Sequence, residues 1–197
     1  HPDVVQRDEV DFRRGEILFS AKRYAEAEGA YRRALDAGAS GSFYSQSLYK
    51  HGWSLFKQGR NEDSLPSFAR VLDANLTDPA DAGRLRPIDR MSRPDRELVE
   101  DTLRVMSITF SYLDGAASVD QFVAKLGVPP YAYLLYSRLG DLFVEKQRYQ
   151  DAADVYRAFV ARDPADENAP LLAMQSIEAY RKGGFDQLVL EGKRDYI

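Results

Sequence analysis

The chain has 197 residues, of which 44% are hydrophobic, a formal net charge of −4 and no cysteine. Such an acidic chain lacks the basic face with which general nucleic-acid binders neutralise phosphates. The missing cysteines exclude disulfides, zinc–thiolate sites and cysteine nucleophiles, and no apolar run approaches the roughly 20 residues that span a bilayer. The length suits one domain or one repeat array, and a start at His1 rather than Met indicates a processed or excised piece.

The first pair of helices is predicted over residues 8–41. Small and large apolar residues occur there at spacings that recur in later helix pairs along the chain. They are Gly15, Leu18, Tyr24, Ala27, Tyr31 and Ala34. Asp11 and Arg14 stand where the later helix pairs carry large apolar residues, so the first pair has fewer apolar residues at its packing positions.

The second pair is predicted over residues 45–73. The same intervals place Leu48, Gly52, Leu55, Gly59 and Phe68. Ser64 takes the position of the alanine, and Pro66 sits early in the second helix, where proline is tolerated. His51 falls on a packing position, which favours a structural histidine over a catalytic one.

An irregular connection is predicted over residues 74–94, because Gly52 and Met106 are separated by about one half-period more than one repeat. Prolines, aspartates and arginines dominate this segment, and long connections in compact arrays are usually functional or disordered. Two interpretations stay open. Four arginines would contact a partner, or their charges would be balanced by aspartates in a solvated loop. The arginines are Arg84, Arg86, Arg90 and Arg93. A calcium loop at Asp73 is disfavoured, because the required glycine and glutamate are missing.

Three further units follow without a gap. The unit over residues 95–132 is the weakest, with Met106 at the glycine position and Ser118 at the alanine position; its other matches are Thr102, Val105, Phe122 and Pro130. The unit over residues 133–166 is the best, and residues 167–197 form a partial fifth unit with a short second helix.

In the unit over residues 133–166, four residues fall at i, i+3, i+4 and i+7, which is one face of a helix. They are Tyr136, Leu139, Gly140 and Phe143. A second helical face follows with Ala152, Tyr156 and Phe159, and Pro164 closes it, since proline cannot continue the helix. This order of aromatic, Leu-Gly, aromatic, Ala, aromatic and Pro within 34 residues resembles the tetratricopeptide repeat.

The resemblance implies an all-α fold, a right-handed α–α superhelix of four to five helix pairs in a single array. The first helix of each pair would line a concave groove, and the repeat register puts an aromatic stripe there. Its members are Phe12, Phe19, Tyr49, Trp53, Phe56 and Phe110. Lys and Asn, which hold a chaperone's C-terminal carboxylate in many members, are replaced in the first unit by Phe12 and Glu16. Aromatics suit an apolar partner segment; alternatively, some of them pack against neighbouring helices.

The function implied is therefore a non-catalytic scaffold that binds another protein or peptide, with no nucleic acid and no membrane span. No nucleophile elbow, phosphate loop or dinucleotide fingerprint occurs, so no catalytic residue, metal or cofactor is expected. The helix end "YRAFVARDP" is similar to tetratricopeptide proteins of the Gram-negative envelope, which implies envelope biogenesis in the periplasm or at the outer membrane. The alternatives are a cytosolic peptide-binding adaptor, or the regulatory or non-catalytic part of a larger protein or enzyme.

Overall fold

The computed structural model describes residues 2–36, 38–78 and 84–195, and these ranges contain ten α-helices. In chain order they are α1 (Pro2–Ser20), α2 (Tyr24–Leu35), α3 (Tyr44–Lys57), α4 (Asn61–Leu76), α5 (Arg93–Tyr112), α6 (Ala116–Leu126), α7 (Ala132–Glu145), α8 (Tyr149–Arg162), α9 (Ala169–Gly183) and α10 (Asp186–Asp195). The predicted all-α repeat fold is confirmed. None of these helices is both long and apolar enough to cross a membrane, as judged over the described ranges.

The chain divides into two compact units, His1–Thr102 and Leu103–Ile197. The boundary falls inside α5. The first unit contains α1 to α4, and the second contains α6 to α10. Residues 167–195 form two helices, α9 and α10, where the sequence predicts a partial unit.

A glycine in the first helix of a pair faces an aromatic ring in the second helix. A Cβ added at Gly140 would lie 2.3 Å from the ring of Tyr156, and one at Gly52 would lie 2.7 Å from the ring of Phe68. The same relation, at 2.5 Å, joins Gly15 to Tyr31. In each case the ring lies sixteen residues after the glycine and is buried. The helices therefore touch at a distance that only a residue without a side chain permits.

Two of the three rings carry a hydroxyl that reaches the acidic residue directly after the glycine. The Tyr156 hydroxyl donates to Asp141 Oδ1 at 2.8 Å, and the Tyr31 hydroxyl donates to Glu16 Oε1 at 2.5 Å. Burial, followed by the charge of Asp141 and this hydrogen bond, raises the pKa of Tyr156. Burial and the bond to Glu16 raise the pKa of Tyr31 in the same way. Both phenols therefore stay protonated in the folded chain well above neutral pH.

The pair α5–α6 lacks the glycine and closes differently. Met106 occupies the glycine position and is fully buried. The ring of Phe122, sixteen residues on, meets Phe110 edge-on with the ring centroids 5.7 Å apart. The edge-on contact between these two rings joins α5 to α6.

The turn inside four of the pairs has the same backbone. One residue adopts a positive φ, and the N–H of the next residue donates to the carbonyl five residues earlier, an arrangement that satisfies the end of the first helix. The residues with positive φ are Lys22, Gly59, Gln147 and Gly184, and the bonds that follow are Arg23 to Leu18, Arg60 to Leu55, Arg148 to Phe143 and Phe185 to Tyr180. In the first three turns the arginine also pairs with the acid three residues later, which are Glu26, Asp63 and Asp151.

The connection predicted over residues 74–94 is shorter and more regular than expected. Helix α4 continues to Leu76, because that side chain is fully buried. Two short antiparallel strands follow, β1 (Thr77–Asp78) and β2 (Arg84–Leu85), and then a 3₁₀ turn at Ile88–Arg90. Residues 79–83 lie outside the described part. Helices α4 and α5 thus extend into the two ends of the predicted segment, at residues 74–76 and 93–94.

We expect Gly140→Ala to lower the free energy of unfolding by about 1–3 kcal/mol, because the buried Tyr156 ring cannot yield to the added methyl. Helix propensity alone would raise it by about 1 kcal/mol. The matched control is Gly29→Ala in α2, where the nearest atom to an added Cβ is the Arg33 guanidinium at 3.8 Å. The control substitution should raise the free energy of unfolding. Urea denaturation of both variants checks this, and a stabilised Gly140→Ala would contradict the close approach.

We expect Tyr156→Phe to cost about 1 kcal/mol near neutral pH, the value of one hydrogen bond. The variant should also lose less folding stability than the wild type as the pH rises above neutral. Since the folded tyrosine has a raised pKa, the unfolded chain loses its proton first above about pH 10, so stability is complete below that pH and falls above it. Thermal melting between about pH 8 and about pH 11.5 measures the slope. Tyr149→Phe, at a half-buried ring in the same helix, is the control for the loss of a tyrosine hydroxyl.

Candidate functional site

Three aromatic side chains of α3 form a partly exposed ladder along one side of the helix. Trp53 meets Tyr49 edge-on with centroids 6.3 Å apart, and it meets Phe56 in the same way at 5.4 Å. All three rings are half-buried, and the spacing of four and three residues puts them on one helical face. The Lys57 ammonium lies 5.4 Å from the Trp53 ring centroid. The sequence prediction that these aromatics share a face is supported by this geometry.

A second group on α1 lies beside α3. The Lys50 ammonium is 5.2 Å from the centroid of Phe19 and 3.2 Å from Glu16 Oε1. Glu16 also accepts the Tyr31 hydroxyl, so one carboxylate joins α1, α2 and α3. Phe19 is half-buried and meets Tyr24 edge-on at 5.2 Å. We call the surface of Phe19, Tyr49, Trp53 and Phe56, with Lys50 and Lys57, the aromatic face.

Phe12 was predicted on this surface and is half-buried. Its ring stacks on Phe43 with centroids 4.8 Å apart and an interplanar angle of 20°, and it also touches Tyr31 at 5.9 Å. The chain therefore uses the Phe12 ring for its own packing, which is the alternative that the sequence left open.

The prediction for Phe110 was wrong. It was predicted to line the groove, but its side chain is fully buried. The reason is the packing of α5 on α6, where the ring of Phe122 covers it. Leu103 and Ser107, on the same side of α5 in the predicted register, are buried as well. The stripe does not reach the third helix pair.

The two polar atoms on the rings of the aromatic face differ in their hydrogen bonding. The Tyr49 hydroxyl donates to an Asp101 carboxylate oxygen, which fixes its ring. The Trp53 Nε1 is shielded from solvent, and no acceptor bonds it in the described part of the chain. An unmet buried donor costs on the order of 1–3 kcal/mol, so stability alone does not account for tryptophan at this position.

His51 belongs to a polar network behind α3. Its Nδ1 lies 2.8 Å from Ser67 Oγ, and its Nε2 lies 4.0 Å from Glu28 Oε1. Glu28 also binds Arg60 at 3.0 Å and Gln58 at 3.3 Å. Because Ser67 is buried within α4, this arrangement fastens three helices and presents no accessible nucleophile. It agrees with the structural role predicted for His51.

The four arginines of the connection are exposed but do not act as one group. Arg93 pairs with Glu97 at 2.7 Å, and Arg84 lies on β2. Arg86 and Arg90 line a shared cleft instead. For metal binding, no cluster of three His, Asp or Glu side chains suited to an ion occurs within residues 2–36, 38–78 and 84–195.

Two recurring contacts were not predicted from the sequence. One is the bond from a tyrosine to the acid fifteen residues earlier. The other is the arginine that follows the turn residue in three helix pairs and pairs with an acid three residues later. Both are visible in the sequence, because an acid follows Gly15 and Gly140 and an arginine directly precedes α2, α4 and α8.

Comparison with known families gives one match. The profile described as tetratricopeptide repeat matches residues 6–42, 49–86 and 111–167, which is more than half of the chain. The first two matches contain the glycine–aromatic pairs of α1–α2 and α3–α4, and the third contains that of α7–α8. A search of curated proteins finds no match.

We expect the protein to lose stability as the pH falls below about 6.5, the ordinary value for histidine. Burial lowers the pKa of His51 even though Glu28 opposes the shift; Arg32, Arg60 and Arg70 add to it. The unfolded chain therefore takes up a proton first, so stability is complete above that pH and declines below it.

Melting temperatures at about pH 7.5 and about pH 5 test this. The variant is His51→Gln, which keeps a hydrogen-bonding side chain without titrating. Since the chain has two histidines and the other is His1, the acid-dependent loss should shrink in this variant. An unchanged pH dependence would show that other groups dominate.

Proposed function

Because this chain belongs to the tetratricopeptide repeat family, we propose that it is a scaffold whose aromatic face holds an apolar segment of a partner protein. Repeats of this family generally mediate interactions between proteins. The observation that carries the proposal is the ladder of Tyr49, Trp53 and Phe56, three large rings that stay half-exposed on one side of α3.

The composition of this face favours a protein segment with apolar anchors. Tryptophan and tyrosine are the residues that most often dominate binding energy at interfaces, since they bury a large area with few rotatable bonds. The rings of Trp53 and Phe56 meet at right angles and leave a stepped surface between them. An amphipathic helix or an extended peptide can place one or two apolar side chains against such a surface.

The two lysines at the edge of the aromatic face indicate which charge the partner segment would carry. Lys57 lies over Trp53, and Lys50 lies over Phe19 while it pairs with Glu16. Lys50 is already paired with Glu16, whereas Lys57 beside Trp53 can meet an acidic group next to the apolar anchor of the partner. We therefore propose an anchor flanked by a carboxylate or by backbone carbonyls.

Envelope biogenesis is the pathway that we propose, on the similarity of the repeat at residues 133–166 to envelope proteins. A cytosolic adaptor, or the non-catalytic part of a larger enzyme, would use the same aromatic face. Fractionation of the source cells with an antibody against this chain decides between the compartments. Recovery with cytosolic markers would contradict the envelope assignment and leave the binding proposal intact.

We expect Trp53→Ala to weaken partner binding by about 2 kcal/mol or more, since buried interface aromatics often carry that much. A peptide library displayed on phage is selected on the wild-type chain, and the selected peptide is titrated into each variant. Trp53 is the only tryptophan, so its emission reports the contact directly. The helical circular dichroism signal should stay nearly unchanged.

Tyr112→Ala is the matched control, since that ring is 66% exposed and belongs to the second compact unit. It should not alter affinity. If the selected peptides bind Trp53→Ala as tightly as the wild type, the aromatic face is not the site. If Trp53→Ala unfolds the chain and the native emission is that of a fully buried ring, Trp53 belongs to the core.

A further inference from the structure

One side of α1 is exposed and carries only one kind of charge. Within residues 7–20 the exposed side chains are three arginines, two aliphatic residues and one serine: Arg7, Val10, Arg13, Arg14, Ile17 and Ser20. Val10 is 64% exposed and Ile17 is 71% exposed. These two residues are two helical turns apart, so they lie on the same side of α1 with Arg14 between them. We call Val10, Arg14 and Ile17 the α1 seam.

The acids in residues 7–20 are buried or half-buried and are bonded within the chain. Asp8 accepts a backbone N–H, and the other three form the ion pairs Glu9 with Arg13, Asp11 with Arg33 and Glu16 with Lys50. The charge of Glu26 on α2 reaches Arg14, but both carboxylate oxygens of Glu26 accept hydrogen bonds from Arg23. Arg14 therefore gives the α1 seam a positive charge.

The positions of the α1 seam are buried in two other helix pairs. The register is set by the turn residues with positive φ, which are Lys22, Gly59 and Gly184. Val10 then corresponds to Ser47 on α3 and Leu172 on α9, and Ile17 corresponds to Ser54 and Ala179. All four equivalents are buried. In both cases the preceding helix packs on the helix that carries them, α2 on α3 and α8 on α9. This side of the helix is thus where the fold receives another helix.

The contact between α2 and α3 shows which group meets the middle of the seam. His51 stands on α3 at the position that Arg14 has on α1, and its Nε2 lies 4.0 Å from Oε1 of Glu28 on α2. A nitrogen base at this position is therefore met by a carboxylate of the covering helix. Since arginine stays charged at all ordinary pH values, a helix that covers Arg14 needs a carboxylate there as well.

We propose that the α1 seam binds an amphipathic helix of a partner protein that carries a glutamate or aspartate between its apolar residues. The apolar residues of that helix cover Val10 and Ile17, and its acid pairs with Arg14. The seam lies on a different helix from the ladder of Tyr49, Trp53 and Phe56 and has different chemistry. The inference therefore goes beyond the proposed function and does not depend on it.

The narrow shape of the seam favours a helix over a membrane surface. Two aliphatic side chains seven residues apart have the spacing of contacts between paired helices, whereas a helix that lies in a membrane has a broad apolar face. The opposite side of α1 is not available for such a face, because α1 packs on α2.

A partner helix fits the seam better than the last helix of a second copy does. Leu190 on α10 is 60% exposed and stands six residues after the turn residue Gly184, as Glu28 stands six residues after Lys22. A second copy that added α10 to the seam would therefore bring leucine, and not an acid, to Arg14.

The test uses the full chain and a fluorescein-labelled, stapled helical peptide of four turns, with leucines on one side and glutamates beside them. Its matched probe has glutamine at every glutamate. In anisotropy titrations the glutamate peptide should bind about fivefold more tightly, the value of a partly exposed ion pair, and salt should reduce this preference. Val10→Gln and Ile17→Gln should each lower the affinity about tenfold, since one aliphatic side chain is no longer buried. Arg14→Gln should bind both peptides alike.

Two controls locate the contact. Leu190→Gln changes an equally exposed aliphatic residue of the second compact unit and should bind like the wild type. Trp53→Ala should also bind the glutamate peptide like the wild type, so failure at the aromatic face and failure at the α1 seam are distinguishable. Circular dichroism confirms that each variant is folded.

Four results would overturn the proposal. The first is equal affinity of the wild type for the glutamate and glutamine peptides. The second is unchanged affinity in the folded Val10→Gln, Ile17→Gln double variant. The third is self-association of the wild type in sedimentation equilibrium that the double variant lacks, which would assign the seam to a second copy. The fourth is binding to vesicles of anionic phospholipid that the double variant lacks, which would assign it to a membrane.

Discussion

The contact between a helix backbone and an aromatic ring at the glycine positions is the constraint on which the helix pairs depend. At Gly15, Gly52 and Gly140 an added Cβ would lie 2.3–2.7 Å from a ring of the second helix. Real side chains do not approach so closely, so the ring can occupy that space only because glycine leaves it open. The ring is then buried by its own helix pair, which sets the angle and register at which the two helices meet. Where the glycine is absent, as at Met106, aromatic packing of Phe110 on Phe122 takes its place.

The residue directly after the glycine differs in chemistry between the helix pairs. Glu16 and Asp141 accept the hydroxyl of the ring opposite, and Glu16 also pairs with Lys50 of α3. In α3 the ring opposite is Phe68, which has no hydroxyl to donate. The equivalent position then needs no acceptor and carries Trp53, which is half-buried and whose indole N–H has no acceptor among the described residues. In α3–α4 the tyrosine and its acid are thus replaced by Phe68 and Trp53, and the tryptophan lies partly exposed.

Charge is distributed as unevenly as the aromatic residues are. Exposed ion pairs such as Arg13 with Glu9 and Arg181 with Glu178 join residues three or four positions apart on one helix, and such pairs contribute little to stability. The connection before α5 departs from this pattern, since it concentrates arginine and leaves Arg90 without a carboxylate among the described residues. The aromatic face and this arginine-rich segment both belong to the first compact unit.

The sequence by itself determined the helix pairs and their register, because the intervals between glycine, alanine and aromatic residues follow from helical geometry and repeat along the chain. It also determined that Tyr49, Trp53 and Phe56 share one helical face. Tertiary structure alone decided which aromatics stay exposed: Phe110 has the spacing of a surface residue, yet Phe122 covers it, and Phe12 is taken up by Phe43. The extent of α4, the two short strands and the cleft beside Arg90 were likewise decided by packing. Periodicity records which side of a helix a residue occupies, whereas exposure depends on the neighbours that the folded chain brings against that side.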